Sequence, residues 1–453
     1  MNLTLHEIGK VVNALNDYSV FPDEVIKKIE FDSRKISAGD LFLPLKGVRD
    51  GHDFIKQAQA NGAQATFSER DESEIAYLRV VDTLAAFQKL AAYYRQKMQV
   101  KVIAVTGSNG KTTTKDMIAA TLSAKYATYK TQGNYNNELG LPYTILQMPE
   151  DTDYLILEMG QDHFGDIHLL SELARPNLAV VTMVGEAHLA FFKDQAQIAE
   201  GKMQIQDGLV HDGGLIIPND PLLRPFIRTN QVTSFGEGGD IYLTNVVEGK
   251  DKTTFEVNFV QGVFEIPVSG AYNAKNALLA VYIAHQLGVE TTAIIQSLRT
   301  LKLTKNRTQW IKSTSGIEIL SDVYNANPTA MALALDSFST IQGEKKVAVL
   351  ADMLELGESS KALHQSILLH LNPEVIQRLF LYGEEMWALA EVVSEIYPIG
   401  AVRFYQKNKT TDEKEALISD LLERVDSGTQ VFLKGSNSMQ LDEVVAAFLA
   451  KNK

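Results

Sequence analysis

The stretch Val102-Ile103-Ala104-Val105-Thr106-Gly107-Ser108-Asn109-Gly110-Lys111-Thr112-Thr113-Thr114 reads as an apolar strand, a glycine-containing turn and the opening of a helix. Each part has a use around phosphate. Gly107 and Gly110 let the backbone N–H groups near Ser108 and Asn109 turn inward, and the helix N-terminus adds its partial positive charge. Lys111 supplies a point charge for the β and γ phosphates, while the hydroxyl of Thr112 or Thr113 can ligate Mg²⁺. Val105 stands where the usual G-x-x-x-x-G-K-[ST] pattern has its first glycine, so a strict pattern search misses the loop. The competing reading is a glycine turn with a solvent-facing lysine. The strand-loop-helix context favours a bound nucleotide.

Other apolar runs also end in polar clusters: Glu158-Met159-Gly160, Gly185-Glu186-Ala187-His188 and Lys434-Gly435-Ser436-Asn437. In open parallel sheets ligands sit outside the carboxyl ends of the strands, so these clusters are expected to converge on one cleft. Glu158 could offer carboxylate oxygen to a hard cation; by position alone it is also a solvated strand end or a helix cap. His188 by itself is an ordinary hydrogen-bonded histidine, and Lys202 by itself a solvated cation on a helix. Asn273 and Asn276, three apart, share a helix face and could present amides to an adenine edge, or serve as buried capping residues. Asn134, Asn136 and Asn137 suit a sugar-peptide ligand, or a plain polar turn.

The elements that must position these groups follow from length and patterning. At roughly 150 residues per domain, 453 residues favour about three domains. With 45% hydrophobic and 22% charged residues, each third is expected to bury its own core. Lys plus Arg total 43 against 56 for Asp plus Glu, and 43 − 56 = −13 argues against nucleic acid or an anionic membrane as a partner. The absence of cysteine excludes disulfides, thiolate metal sites and a cysteine nucleophile. An early acid in the first residues and the lack of any run of about 18 apolar residues point to a cytoplasmic chain without membrane insertion. Asp82 is placed to cap a helix carrying Leu84, Phe87, Ala91 and Tyr94, which closes a first segment at about Met98. Apolar strands alternating with helices then imply a parallel sheet covered on both faces. Alternation between about Gln231 and Val268 suggests antiparallel strands, and a second α/β unit follows Arg307. The expected domains are 1–98, 99–308 and 309–453.

Thr106-Gly107-Ser108-Asn109-Gly110-Lys111-Thr112-Thr113 resembles the loop of the Mur ligases and folylpolyglutamate synthases, a family of ATP-dependent amide ligases. Gly133-Asn134-Tyr135-Asn136-Asn137-Glu138-Leu139-Gly140-Leu141-Pro142 resembles the family's Asn-Asn-x-x-Gly-x-Pro segment. Gly270-Ala271-Tyr272-Asn273-Ala274-Lys275-Asn276 resembles its G-x-H-N-x-x-N segment, with Tyr272 replacing the histidine. Asp322-Val323-Tyr324-Asn325-Ala326-Asn327-Pro328 and Leu350-Ala351-Asp352-Met353-Leu354-Glu355-Leu356-Gly357 are similar to the member that adds D-alanyl-D-alanine to UDP-N-acetylmuramoyl-tripeptide. Phe31-Asp32-Ser33-Arg34, Gly39-Asp40-Leu41-Phe42 and Gly51-His52-Asp53-Phe54 look like that member's uridine-nucleotide domain. The motifs run in order across essentially the whole chain.

The resemblance implies an N-terminal α/β uridine-nucleotide domain, a central parallel-sheet phosphate-loop ATPase domain with an antiparallel insertion, and a C-terminal Rossmann-like α/β domain. It implies transfer of the ATP γ-phosphoryl group to a carboxylate, then attack of an amine on the acyl phosphate, in a monomer using ATP and Mg²⁺. The residues it marks as catalytic are Lys111, Glu158, His188 and Lys202. Around ATP it places Gly107, Ser108, Asn109, Gly110, Lys111, Thr112, Thr113, Asn273, Asn276, Arg307, Asp322 and Asn325. Ser33, Arg34, Lys46, Asp53, Asn134, Asn136 and Asn137 would meet the UDP-sugar peptide. Asp352, Glu355, His364, Lys434 and Ser436 would meet the incoming dipeptide. Thr113, Glu158, His188 and Lys202, the last as a carbamate, would hold the metal. The rival readings are a family member adding a single amino acid or a glutamate to a folate, and a phosphate-loop ATPase switch without ligase activity.

Overall fold

The computed structural model describes residues 1–186, 189–304 and 308–450. The N-terminal sheet has four parallel strands, Ile29–Glu30, Asp40–Phe42, Ala63–Ser68 and Ala76–Arg79, in that order. Asp82 then caps the Thr83–Met98 helix by accepting from Ala85 N at 2.9 Å, and Phe87, Leu90, Ala91 and Tyr94 form its buried face.

The central sheet has six parallel strands in the order Val232–Phe235, Gly214–Pro218, Leu178–Val181, Lys101–Thr106, Tyr154–Glu158, Thr128–Lys130. Its four inner strands are largely apolar because helices cover both faces. The Lys111–Leu122 and Ala271–Gln286 helices seal one face. On the other face the core runs without interruption into the N-terminal sheet, joining Leu41 and Phe67 to Leu141, Ile145 and Leu157. The expectation that every third buries its own core therefore fails for the first one, whose separate cluster holds only Ile36, Phe42, Ile55, Ala58 and Ala63.

Antiparallel pairing begins later than the alternation suggested. Leu243–Glu248, Thr253–Val257 and Phe264–Ile266 form a three-stranded antiparallel sheet, whereas Val232–Phe235 joins the central sheet in parallel. The long 219–231 connection provides the crossover that parallel pairing needs, which a tight hairpin could not.

The C-terminal sheet runs Gln309–Lys312, Glu318–Asp322, Thr429–Lys434, Lys345–Ala351, Arg378–Tyr382, Val402–Tyr405, antiparallel only at the first pair. It carries an apolar cluster on each face. Lys346, 2% exposed, donates to the carbonyls of Phe338 at 2.8 Å and Ser339 at 3.1 Å, and to that of Ile341. These oxygens end the Pro328–Thr340 helix, where no intrahelical donor is left for them. Lys346→Met is expected to cost about 2–3 kcal/mol, the value of hydrogen bonds from one charged donor. An unchanged denaturant midpoint would refute that capping role. Among the described residues, no helix is long and apolar enough to cross a membrane.

Candidate active site

The phosphate loop leaves the Lys101–Thr106 strand in the middle of the central sheet and enters the Lys111–Leu122 helix, whose N-terminus no side chain caps. Gly107 has φ of 148°, and a Cβ there would lie 2.0 Å from Thr182 Oγ1, so only glycine fits. The loop is braced from the next strand end. Ser108 N donates to Met183 O at 2.9 Å, Gly185 N donates to Ser108 Oγ at 2.9 Å, and Thr182 Oγ1 donates to the Asn109 carbonyl. Lys111 Nζ folds back onto Gly107 O at 2.7 Å, which holds its ammonium inside the concavity. Asn276 packs against the loop, its Oδ1 being 2.6 Å from where a Gly110 Cβ would stand.

A cleft of about 800 Å³ opens over this loop. It gathers Ser108, Asn109, Gly110, Lys111, Thr112 and Thr113, with Asn134, Asn136, Asn137, Asn273, Asn276 and Glu158. Asp322, Asn325 and Lys434 reach it from the C-terminal sheet. Glu158 ends its strand beside Val105, in register with the phosphate-loop strand. Asn136 Nδ2 donates to its Oε1 at 2.9 Å, while its Oε2 is buried without a hydrogen-bond partner. Asn273 turns its amide inward, donating to Ser269 O at 2.8 Å.

Lys202 lies 2% exposed behind the cleft, donating to Gln161 Oε1 at 2.9 Å, and Gln161 itself lines the cleft. Burial, and after it the nearby charge of Lys111, hold the Lys202 amine well below the ordinary lysine range. That environment favours a neutral amine over the solvated ammonium that a helical lysine usually is.

From the C-terminal side, Asp322 and Lys434 end neighbouring strands in register and form an ion pair, and Lys434 Nζ also donates to Asn325 O at 3.0 Å. Asp322 Oδ1 accepts from Thr308 N at 3.3 Å, at the junction between the two sheets. Ser337 Oγ donates to Glu248 Oε2 at 3.2 Å, and Ala190 N to Glu355 O at 2.9 Å.

Several expected site residues stand away from the cleft. Ser33 Oγ donates to Gln57 Oε1 at 3.0 Å, and Arg34 is paired through its Nε to Asp32 at 2.9 Å. Lys46 is paired with Glu69, and Asp53 is exposed 4.0 Å from Arg70. In the C-terminal sheet, Asp352 accepts from Met386 N at 2.8 Å and Glu384 N at 2.9 Å. Burial nonetheless raises the Asp352 carboxyl to about 6, against the opposing pull of these backbone donors. His364 Nε2 accepts from Met353 N at 3.0 Å and Ser436 Oγ from Leu354 N at 2.9 Å. Asp352, His364 and Ser436 thus tie down the 352–357 turn, and Glu355 meets the central unit through its carbonyl. His188 and Arg307 lie outside the described residues.

Residues that type and spacing left unnoticed are Thr182, Gln161 and Lys115. Lys115 follows Lys111 by four, so both lie on one helix face. It is buried between Asp116 at 3.5 Å and Glu158 at 3.6 Å. That spacing was the available signal.

These elements define a phosphate-loop nucleotide-binding protein in which a second α/β sheet completes the cleft. Comparison with known proteins agrees in every segment. The Mur ligase family catalytic domain matches residues 25–109, the Mur ligase middle domain 105–284, and the Mur ligase glutamate ligase domain 306–437. UDP-N-acetylmuramoyl-tripeptide--D-alanyl-D-alanine ligase of Bacillus subtilis (strain 168) is 37% identical, covering 98% of this chain and 97% of its own. The ligase of the same name from Escherichia coli (strain K12) is 33% identical, covering 97% of each. The MurF crystal structure I from Acinetobacter baumannii superposes with a TM-score of 0.90 at 31% identity, over 100% of this chain and 99% of that one. The MurF ligase from Thermotoga maritima in complex with ADP gives 0.80 at 31% identity, over 96% and 98%. The chain belongs to the Mur ligase family.

Proposed function

We propose that this chain is an ADP-forming ligase that joins D-alanyl-D-alanine to UDP-N-acetylmuramoyl-tripeptide at the expense of ATP, a step of peptidoglycan synthesis. The reading rests above all on one juxtaposition: the phosphate loop with Lys111 faces Asp322, Asn325 and Lys434 of a second α/β sheet across a single cleft. The full-length similarity to the ligases named above supports it.

The chemistry asks for positioning and for positive charge near the transferring phosphoryl group. Lys111 and the open helix N-terminus bind the phosphates. The tripeptide carboxylate attacks the γ-phosphorus as the bond to ADP breaks, and the amine of the dipeptide then attacks the acyl carbon, releasing phosphate and losing a proton. Asn134, Asn136 and Asn137 orient the sugar-peptide beside the loop, with Asn273, Asn276, Asp322 and Asn325 around the nucleotide. Ser33, Arg34, Lys46 and Asp53 are assigned to the uridine end, although none lines the central cleft.

The residues present fit Mg²⁺. Glu158 keeps one buried carboxylate oxygen without a hydrogen bond, and Thr112 and Thr113 hydroxyls line the same cleft. Among the described residues no three His, Asp or Glu side chains are grouped so as to hold a metal ion, and Mg²⁺ in phosphate sites usually takes one or two carboxylates plus phosphate oxygens. Thr113 and Glu158 would hold it, and when bound it neutralises phosphate charge. Lys202 is assigned a carbamate: its neutral amine adds CO₂, an N–C bond forms and a proton leaves, so an uncharged nitrogen becomes an oxygen anion.

An assay of ADP release tests the function. Turnover is expected only with ATP, Mg²⁺, UDP-muramoyl tripeptide and D-alanyl-D-alanine together, and not with single amino acids. ADP release without the tripeptide and the dipeptide would instead identify a non-ligase ATPase, and turnover with a single amino acid another branch of the family.

A further inference from the structure

Asn109 at the tip of the phosphate loop and Asn327 of the C-terminal sheet's first helix are 218 positions apart, yet their carboxamides pair reciprocally. Asn109 Nδ2 donates to Asn327 Oδ1 at 3.0 Å, and Asn327 Nδ2 donates to Asn109 Oδ1 at 2.9 Å. Asn327 is 6% exposed, and its Oδ1 also accepts from Ala330 N at 2.9 Å, capping the Pro328–Thr340 helix. Two residues further on, Thr329 Oγ1 donates to Glu186 Oε2 at 2.6 Å, beside the Gly185 whose N–H holds Ser108 Oγ. A single helix terminus thus touches the phosphate loop directly and its supporting strand end indirectly.

We infer that Asn327 is a positioning residue for the reaction, acting through Asn109 to fix the phosphate loop only when the C-terminal unit is seated on the central one. The inference rests on the reading of the cleft as the site of ATP-dependent ligation. The residue type is demanding: the side chain must accept from its own helix and donate to Asn109 at once, and among the good capping residues only asparagine has both an acceptor and a donor of that reach. The Asn109 backbone is already held by Thr182, so its side chain is the part of the loop tip left for the second sheet to seize. Nucleotide can reach the loop without Asn327. Phosphoryl transfer, which needs the seated arrangement, cannot proceed at full rate without it.

Serine separates the two roles, since it caps a helix about as well as asparagine but cannot reach Asn109. N327S is expected to keep the melting temperature and the ATP KM of the wild type while kcat falls about tenfold, the worth of one or two net hydrogen bonds. In an N109S background the same change is expected to cost less than about twofold more, because residues acting through one contact are not additive. N327D keeps the cap, replaces the donor by an acceptor, and is expected to lose at least as much kcat; it serves if N327S does not fold. Full kcat in N327S overturns the inference, as does a loss that recurs undiminished in N109S, or a kcat loss that tracks a fall in melting temperature. A wild-type enzyme that forms no product from the two co-substrates would instead overturn the functional reading.

Discussion

Lys202→Ala protein is expected to form product about 10²–10³-fold more slowly than the wild type, with part of the rate returned by added formate or acetate. The magnitude is that of removing one preorganised electrostatic group from a catalytic site. The physical ground is the burial of an amine that has one close polar partner, Gln161, and a neighbouring ammonium, Lys111. Both surroundings disfavour the protonated form, burial more than charge, so the amine pKa is lowered. The sign of the pH effect follows. The neutral amine is the form that captures CO₂; as pH falls through the lowered value the amine protonates and the rate drops, and added bicarbonate should offset the early part of that drop. The folded protein also binds fewer protons here than the unfolded chain, so this group makes stability rise with pH up to the ordinary lysine value. A fully active Lys202→Ala enzyme would end the carbamate assignment. So would a ¹³CO₂-derived carbamate signal that survives the substitution.

The second large effect falls on stability. Lys115 is 1% exposed, donates to Thr131 O at 2.8 Å, and lies 3.5 Å from Asp116 and 3.6 Å from Glu158. Asp116 in turn accepts from Lys130 at 2.6 Å and from Thr304 Oγ1 at 2.8 Å. Burial pushes the Asp116 carboxyl up, but Lys115, Lys130 and Thr304 together hold it below the usual carboxylate range. Taking one partner out of a buried ionic cluster costs about 3–5 kcal/mol, because the charges left behind cannot regain water. Lys115→Met should therefore lower the melting temperature by on the order of 10 °C, measured by calorimetry. Melting together with the wild type would mean the two carboxylates find other compensation.

Much of the site could be read along the chain because its signals are local. The strand, two glycines, lysine and threonines of 102–114 are contiguous, and their geometry follows from a parallel sheet feeding a helix terminus. Glu158 was readable for the same reason, as a polar residue closing an apolar run. Asp352 and Ser436 carry the same signature but satisfy backbone N–H groups of neighbouring turns, Met386 N and Leu354 N, that would otherwise be left unpaired. Residue type at a strand end does not distinguish the two outcomes. Lys434 shares a strand end with Ser436 and faces the cleft because Asp322 sits opposite it in register. The Asn109–Asn327 pair was invisible because its partners are joined only when two sheets meet, and the merged core was invisible because each half looks apolar in its own right.

That merged core has a mechanical consequence. Leu41 and Phe67 rest on the same apolar mass as Leu141 and Leu157, so relative sliding of the first two sheets would shear a close-packed interior. The contacts binding the last sheet to the rest are mostly polar pairs such as Asn109 with Asn327, Thr329 with Glu186 and Ser337 with Glu248, each of which water can replace. Whatever hinging the molecule performs is thereby confined to one seam, and the first sheet travels as fixed cargo with the phosphate loop.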